Sequence, residues 1–316
     1  METGRRFARV IGTGLALVLC GVLIGWPEAK PDFQGNWSNA TQTPLERLWT
    51  DDGALTEDAA AAVERAARDL DSTRPFGDPG LTVLRIDGEP RSSIIIDPPN
   101  GRFPPLTAAG ARRVAALAAR GQQFGEFDHP EVRPLSERCL VSFGSNTGPP
   151  MLPNYFENNN YTIVQTDDHV MIMSEMIHDA RIIPIGATTH RPSRIRPWFG
   201  DAIGHWEGAT LVVETINIHP LQLDQANMWW AYRGASADVK VTERLTLAGP
   251  DTIRYRFTIE DPATFTRPVT GELLFSRMAE PLYEYACHEG NVSIANILSG
   301  ARAREKHSTD RQPEHR

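Results

Sequence analysis

From residue 160 onward, apolar and polar side chains alternate with a period of two, and no helix-length pattern interrupts them. This constrains the fold more than anything else in the chain. "YTIVQT" and "HVMIMSE" are separated by Asp167-Asp168, which reads as a tight hairpin. "RIIPI", "ATLVVETI", "VKVTERLTL", "TIRYRFTIE", "VTGELLF" and "LYEYA" follow, divided by "GP", "DP" and "AEP". Strands this short and this close together, without crossover helices, predict an antiparallel meander of about eight or nine strands. The fold class is therefore mainly β, an antiparallel barrel or sandwich.

The faces of these strands carry one anomaly. In "VKVTERLTL" the apolar face is Val239, Val241, Leu245 and Leu247, and Glu243 falls on that same face. In "TIRYRFTIE" the inward face is Ile253, Tyr255, Phe257 and Ile259, with Arg254 and Arg256 opposite. A carboxylate among apolar neighbours must find a partner or change its protonation. Glu243 thus points either to a polar barrel interior or to a buried pair with an arginine.

Residues 31–150 differ: they are rich in Pro, Gly and polar residues, with two helical patterns. "LTEDAAAAVERAARDL" has Thr56 as a cap and acids in its first turn, and "LTAAGARRVAALAARG" runs from Thr107 to Gly121. Their Ala-rich faces suit packing on a larger body, the antiparallel β domain of 151–300. Between them "SSIIIDPPNGRFPPL" reads as a short strand entering a Pro-rich turn. A short helix over "NVSIANILSG" is expected to follow the last strand, and 301–316 reads as a disordered tail.

Residues 1–29 read as a targeting segment. Arg5, Arg6 and Arg9 precede the uncharged run "VIGTGLALVLCGVLIGW", and Ala29 marks a cleavage position. The alternative is an uncleaved anchor, the only membrane contact the chain then predicts. Either way the remainder is exported, to the periplasm or the extracellular space. Cys139 and Cys287 are the two cysteines left after that segment, and in an oxidising compartment they are expected to pair. The alternative is two buried thiols too far apart to bridge.

Partners follow from charge and composition. With 32 Lys and Arg against 40 Asp and Glu, the net charge is −8, and no basic stripe carries interleaved aromatics. Nucleic acid is therefore not an expected partner. The chain has no G-x-S-x-G, H-E-x-x-H or C-x-x-C motif and no phosphate-cradling glycine loop. No nucleotide or other organic cofactor is predicted.

What remains is a set of His, acidic and aromatic residues at strand ends. "SEMIHDARIIP" gathers Glu175, His178, Asp179 and Arg181, and "CHEGN" places His288 and Glu289 beside Cys287. "RPSRIRPWFGDAIGHWEG" reads as a loop bearing Arg194, Arg196, Trp198, Asp201, His205 and Trp206. "QLDQANMWWAYRGASA" adds Trp229 and Trp230, and Tyr283 stands at the start of the last apolar stretch. His178 and His288 converging at one barrel mouth would form an acid–base pair, with Asp179 or Glu289 fixing a tautomer and Glu243 behind them. Arg181, Arg194, Trp198, Trp206, Trp229, Trp230 and Tyr283 would then bind an apolar or aromatic small molecule. The competing reading has the histidines only bonding loop backbone. A metal held by His178, His288 and carboxylates is a third, minority reading.

The combination "PDFQGNW", "ERCL", "GPPMLP", "NNNYTIVQT", "EMIHDARIIP", "WFGDAIGHWEGATLVVET", "EDPATFTRP" and "YEYACHEGN" resembles a large family of exported bacterial proteins, over most of residues 31–303. "FQGNW" is also similar to the Gly-x-Trp opening of lipocalin-like barrels. The first resemblance implies an exported single-domain protein and carries over neither substrate nor catalytic residues. Three functions stay open: a cofactor-independent isomerase, lyase or cyclase, a lipocalin-like carrier, and an envelope protein whose motifs maintain the fold.

Overall fold

A computed structural model describes residues 30–48, 55–71, 82–153, 157–224 and 232–309. Trp229 and Trp230 lie outside the described residues. In chain order the elements are β1 Gly35–Ser38, α1 Glu57–Asp71, β2 Arg85–Ile86, β3 Glu89–Pro90, β4 Ile95–Asp97, α2 Ala108–Gln123, β5 Asn160–Gln165, β6 His169–Ser174, β7 Ala180–Pro184, β8 Asp201–Glu207, β9 Thr210–Ile216, α3 Pro220–Leu223, β10 Lys240–Gly249, β11 Thr252–Glu260, β12 Val269–Met278 and α4 Ser293–Thr309.

The protein is a nearly closed antiparallel barrel. Round the wall the strands run β7-β6-β5-β1-β12-β11-β10-β9-β8, with β4 added beside β12. Every neighbour on this path is antiparallel. An odd number of antiparallel strands leaves its two end strands parallel, so β7 and β8 cannot be joined by a hairpin. They meet instead through a parallel bridge, Ile185 to Gly204, and residues 186–200 connect the two strands. Gly204 makes that seam possible: a Cβ there would stand 2.8 Å from Ile185 Cδ1 and 3.0 Å from Ile183 Cγ2.

Period two does the rest. On β10, Val241, Glu243 and Leu245 face inward, opposite Ile259, Phe257 and Tyr255 of β11. Trp37, Tyr161, Ile163, Ile183, Leu211, Val213, Leu273 and Phe275 belong to the same buried core. Tyr255 and Tyr161 each meet Phe275 edge-on, at 5.3 and 5.2 Å between ring centroids.

The N-terminal region does more than pack on this barrel. β1, too short for any periodic signal, sits in the wall between β5 and β12. Phe33 and Trp37 are fully buried, and the Trp37 indole donates to the Phe33 carbonyl at 2.9 Å. Gly35 has φ +129°, and a Cβ there would stand 2.5 Å from the Arg277 guanidinium, which lies 4.2 Å over the Trp37 ring. The Gly-Asn-Trp motif is therefore a wall element. α2 is capped by Thr107, which accepts from Gly110 N, and Gly110 packs directly on the Thr264 backbone. The Asp261 carboxylate of "EDPATFTRP" accepts from Ser236 N at 2.6 Å and from the hydroxyls of Ser236 and Thr264, tying the β9–β10 connection to the end of β11.

Three expectations change. "DAIGHWE", read as loop, is β8, because a half-buried barrel strand with Gly204 on its inner face loses the apolar alternation. "LYEYA" forms no strand: residues 279–292 cross the barrel rim as irregular chain held by side chains. The C-terminal helix continues to Thr309 rather than stopping at Gly300, and Arg302 and Arg304 in the continuation reach Phe127 by a carbonyl hydrogen bond and a ring contact. No described helix is long and apolar enough to cross a membrane.

Candidate functional site

The polar residues inside the barrel form one layer. Arg181 on β7 points inward and meets Glu243 on β10, Nη2 to Oε2 at 2.9 Å and to Oε1 at 3.1 Å. Both side chains are essentially inaccessible, at 3% and 0%. The Tyr255 hydroxyl donates to Glu243 Oε1 at 2.7 Å and accepts from Met151 N at 2.9 Å. Burial opposes the charge on Arg181, yet the adjoining Glu243 carboxylate holds the guanidinium above its ordinary range. Burial pushes the hydroxyls of Tyr161, Tyr232 and Tyr255 upward, so all three stay protonated.

These tyrosines also hold a plug. The segment after the Cys139 turn, "SNTGPPM" from Ser145 to Met151, is buried against inward-facing side chains. The Tyr161 hydroxyl donates to the Asn146 carbonyl at 2.8 Å, and the Tyr232 hydroxyl donates to the Pro149 carbonyl. Asn39 Nδ2 donates to the Tyr161 oxygen and to the Met151 carbonyl, both at 3.2 Å. Three tyrosine hydroxyls thus engage three different peptides of one short segment, an arrangement with no periodic trace in the sequence.

The rim site is separate. A 3-10 turn at Met176–His178 follows β6, with Ile177 and His178 at positive φ. Glu175, buried, accepts from Asn160 Nδ2 at 2.7 Å and Tyr283 N at 3.1 Å. The His178 Nδ1 lies 3.3 Å from the Tyr285 carbonyl. Cys139 and Cys287 are disulfide-bonded, Cα to Cα 5.8 Å, and the Cys139 sulfur accepts from Asn291 Nδ2 at 3.3 Å. These contacts strap 283–291 across the barrel end. Asp179 has a buried Oδ2 with no partner among the described residues. Burial pushes its carboxyl up to about 6, against the opposing pull of His178.

Of the residues expected in the site, the structure joins Arg181 to Glu243, and adds Tyr255, which the sequence marked only as an inward residue. His178 and His288 are both exposed and have different partners: the His178 ring faces Tyr285, while the His288 carbonyl accepts from Asn291 N. Arg194 and Tyr283 are exposed, Tyr283 at 76%. Trp198 stacks on His219 at 4.1 Å, and Trp206 stacks on Phe33 at 5.9 Å. Among the described residues, no three His, Cys, Asp or Glu side chains cluster to hold a metal ion.

One further constellation joins Asp201 to two residues the sequence did not single out, His190 and Glu214. His190 Nδ1 lies 2.9 Å from Asp201 Oδ2, and its Nε2 lies 3.3 Å from Glu214 Oε1. Arg191 N donates to the same Asp201 oxygen at 2.7 Å. These contacts latch the seam-crossing chain onto β8 and β9.

Among known proteins, the chain matches no family model and no curated protein.

Proposed function

We propose that this protein is an exported barrel that takes a small, largely apolar or aromatic molecule into contact with the interior layer. The observation that carries the reading is the Arg181–Glu243–Tyr255 constellation in an interior built largely of aromatic and aliphatic side chains. A buried ion pair is weak evidence for stability, because apolar residues of the same volume commonly hold a fold as well or better. A few convergent polar groups on an apolar, aromatic lining are what ligand recognition uses. The disulfide fits the export that the N-terminal segment predicts. Native mass spectrometry of the protein purified from its host tests the proposal. A retained small molecule is expected, released on denaturation, and a consistently empty protein counts against it.

A second reading, an acid–base enzyme, is favoured by one observation: Asp179, with its carboxyl held at about 6 beside His178. A carboxyl that titrates near neutrality suits proton transfer in isomerisation or elimination. On this reading Asp179→Asn abolishes turnover of the retained molecule and leaves it bound. Unchanged turnover removes the second reading and leaves the first.

A further inference from the structure

The outer wall of the barrel has two unlike sides. Across β8 to β12 the outward positions are laced with ion pairs. Arg244 meets Glu207 at 2.7 Å, Lys240 meets Glu214 and Glu260 at 3.4 and 2.9 Å, and Arg256 meets Glu272 at 3.4 Å. On β5, β6 and β7 no outward position is Asp, Glu, Lys or Arg. The register aligns Val164, Met171 and Ile182 in one row across these strands, and Thr162, Met173 and Ala180 in the next. Opposed residues on an antiparallel sheet share a face with Cβ atoms about 5 Å apart, so the two rows form one patch. Val164 is 40% and Ile182 67% exposed. The methionines between them adapt readily to an irregular partner. The acids Asp167 and Asp168 lie in the turn beyond the first row, where Asp168 Oδ1 is 3.0 Å from His169 Nδ1.

The course of the preceding chain decides what covers this patch. Gln165, at the end of β5, donates through Nε2 to the Pro31 carbonyl at 2.9 Å and accepts from Phe33 N at 3.1 Å. The chain therefore enters the barrel beside Val164. Residues 10–26 are the uncharged, largely apolar run, and Trp26 precedes Lys30 by four positions. Those positions reach at most about 14 Å, against about 10 Å for the two strand spacings across the patch. Lys30 Nζ lies 5.9 Å over the Trp206 ring, and Lys and Trp are residues that settle at the headgroup level of a bilayer. As a helix, residues 10–26 would measure about 25 Å, near the roughly 30 Å of a hydrocarbon core and too long for this patch to cover. Arg5, Arg6 and Arg9 on the far side of the run favour an orientation that leaves the barrel on the exported face.

We infer that the outer face of β5, β6 and β7 docks on the lipid surface of a bilayer, with residues 10–26 retained in that same bilayer as an anchor. A small apolar patch holds lipid weakly by itself; stable attachment takes two signals, and the short tether supplies the second. The inference is independent of the small-molecule reading.

The test reconstitutes the full disulfide-bonded chain in phosphatidylethanolamine–phosphatidylglycerol vesicles containing a phospholipid with a diazirine on its acyl chain near the headgroup. After irradiation, lipid adducts are mapped by peptide mass spectrometry. Adducts are expected on 10–26 and on 160–184, the latter at least about tenfold more frequent than on 240–260, because only a docked face sinks to acyl-chain depth. Ile182→Glu, a change at an exposed position, is expected to cut the adducts on 160–184 about tenfold while 10–26 keeps its own. The comparison of 160–184 with 240–260 in the unsubstituted protein stands whether or not that variant folds. Adducts on 10–26 with none in excess on 160–184 overturn the docking, and this is also the result if a second copy of the chain covers the patch. Unchanged labelling in Ile182→Glu overturns it as well. A chain purified from its host without residues 10–26, or with no adducts there, overturns the anchor and the inference with it.

Discussion

The interior layer and the rim strap both set acidic side chains beside basic ones, under opposite conditions. Inside, Arg181 and Glu243 are fully desolvated and their partners are fixed by β7, β10 and β11. At the rim, His178 and His288 are exposed, and order comes from a covalent bond and from Glu175 gripping the strap backbone. The difference teaches that identity of residue type says little about role. Desolvation makes the interior pair indispensable to its own partners, while solvent lets the rim histidines be exchanged cheaply.

That contrast can be broken most forcefully from inside. Glu243→Ala leaves a buried guanidinium without its counter-charge and is expected to cost about 3–5 kcal/mol in urea unfolding. Arg181→Met/Glu243→Gln is expected to recover most of that loss. If the single and paired variants are equally unstable, the layer is not behaving as a coupled buried pair. The next effect belongs to the rim. Cys139→Ser/Cys287→Ser releases a cross-link spanning 148 positions, and is expected to lower stability by about 2–4 kcal/mol. Hydrogen exchange in that variant should rise first in 283–291 and leave β10–β11 protected.

Asp179 sharpens the comparison at the boundary between the two regions. Its carboxyl is raised from the ordinary 3.8 to about 6 by burial. Between those values the folded protein keeps a proton that the unfolded chain gives up, so stability falls as pH rises through this window and levels off above it. Asp179→Asn removes the penalty. It is expected to gain about 1–2 kcal/mol above the window, after allowance for partial exposure, and nothing below it. Parallel pH–stability curves for variant and parent would show Asp179 to be unperturbed. The smallest effects are expected at His178→Gln and His288→Gln, each within about 0.5 kcal/mol by thermal or chemical unfolding. A loss well beyond that in either would make the rim as tightly coupled as the interior.

Much of the wall was legible because a half-buried strand must alternate. The β5–β6 hairpin and strands β7, β9, β10, β11 and β12 all carried the pattern, and Glu243 stood out as the one carboxylate on an apolar face. β1 was not legible, since four residues give no period and its Gly35 is explained by a positive φ and by the Arg277 side chain beside it. β8 was hidden for a related reason: Gly204, at the seam, is an inward position that must stay empty. "LYEYA" gave the opposite error, alternation without a neighbouring strand to pair with.

The site divides in the same way. Glu243, Cys139 and Cys287 were identifiable as residues, because a buried charge needs a partner and cysteines expected in an oxidising compartment tend to pair; Arg181 stood out only as a candidate ligand-binding residue beside His178 and Asp179. That Arg181 is the partner of Glu243 was not identifiable. β7 and β10 are brought together only by curvature of the whole sheet round to its seam, and a one-dimensional pattern contains no closure. The same holds for the three tyrosines on the plug and for His190 between Asp201 and Glu214. The sequence by itself determined a strand-rich chain with one carboxylate turned inward, and led to the expectation of export. Tertiary structure alone decided what that carboxylate meets, because partners in a barrel are chosen by strand order and register, which join residues far apart along the chain.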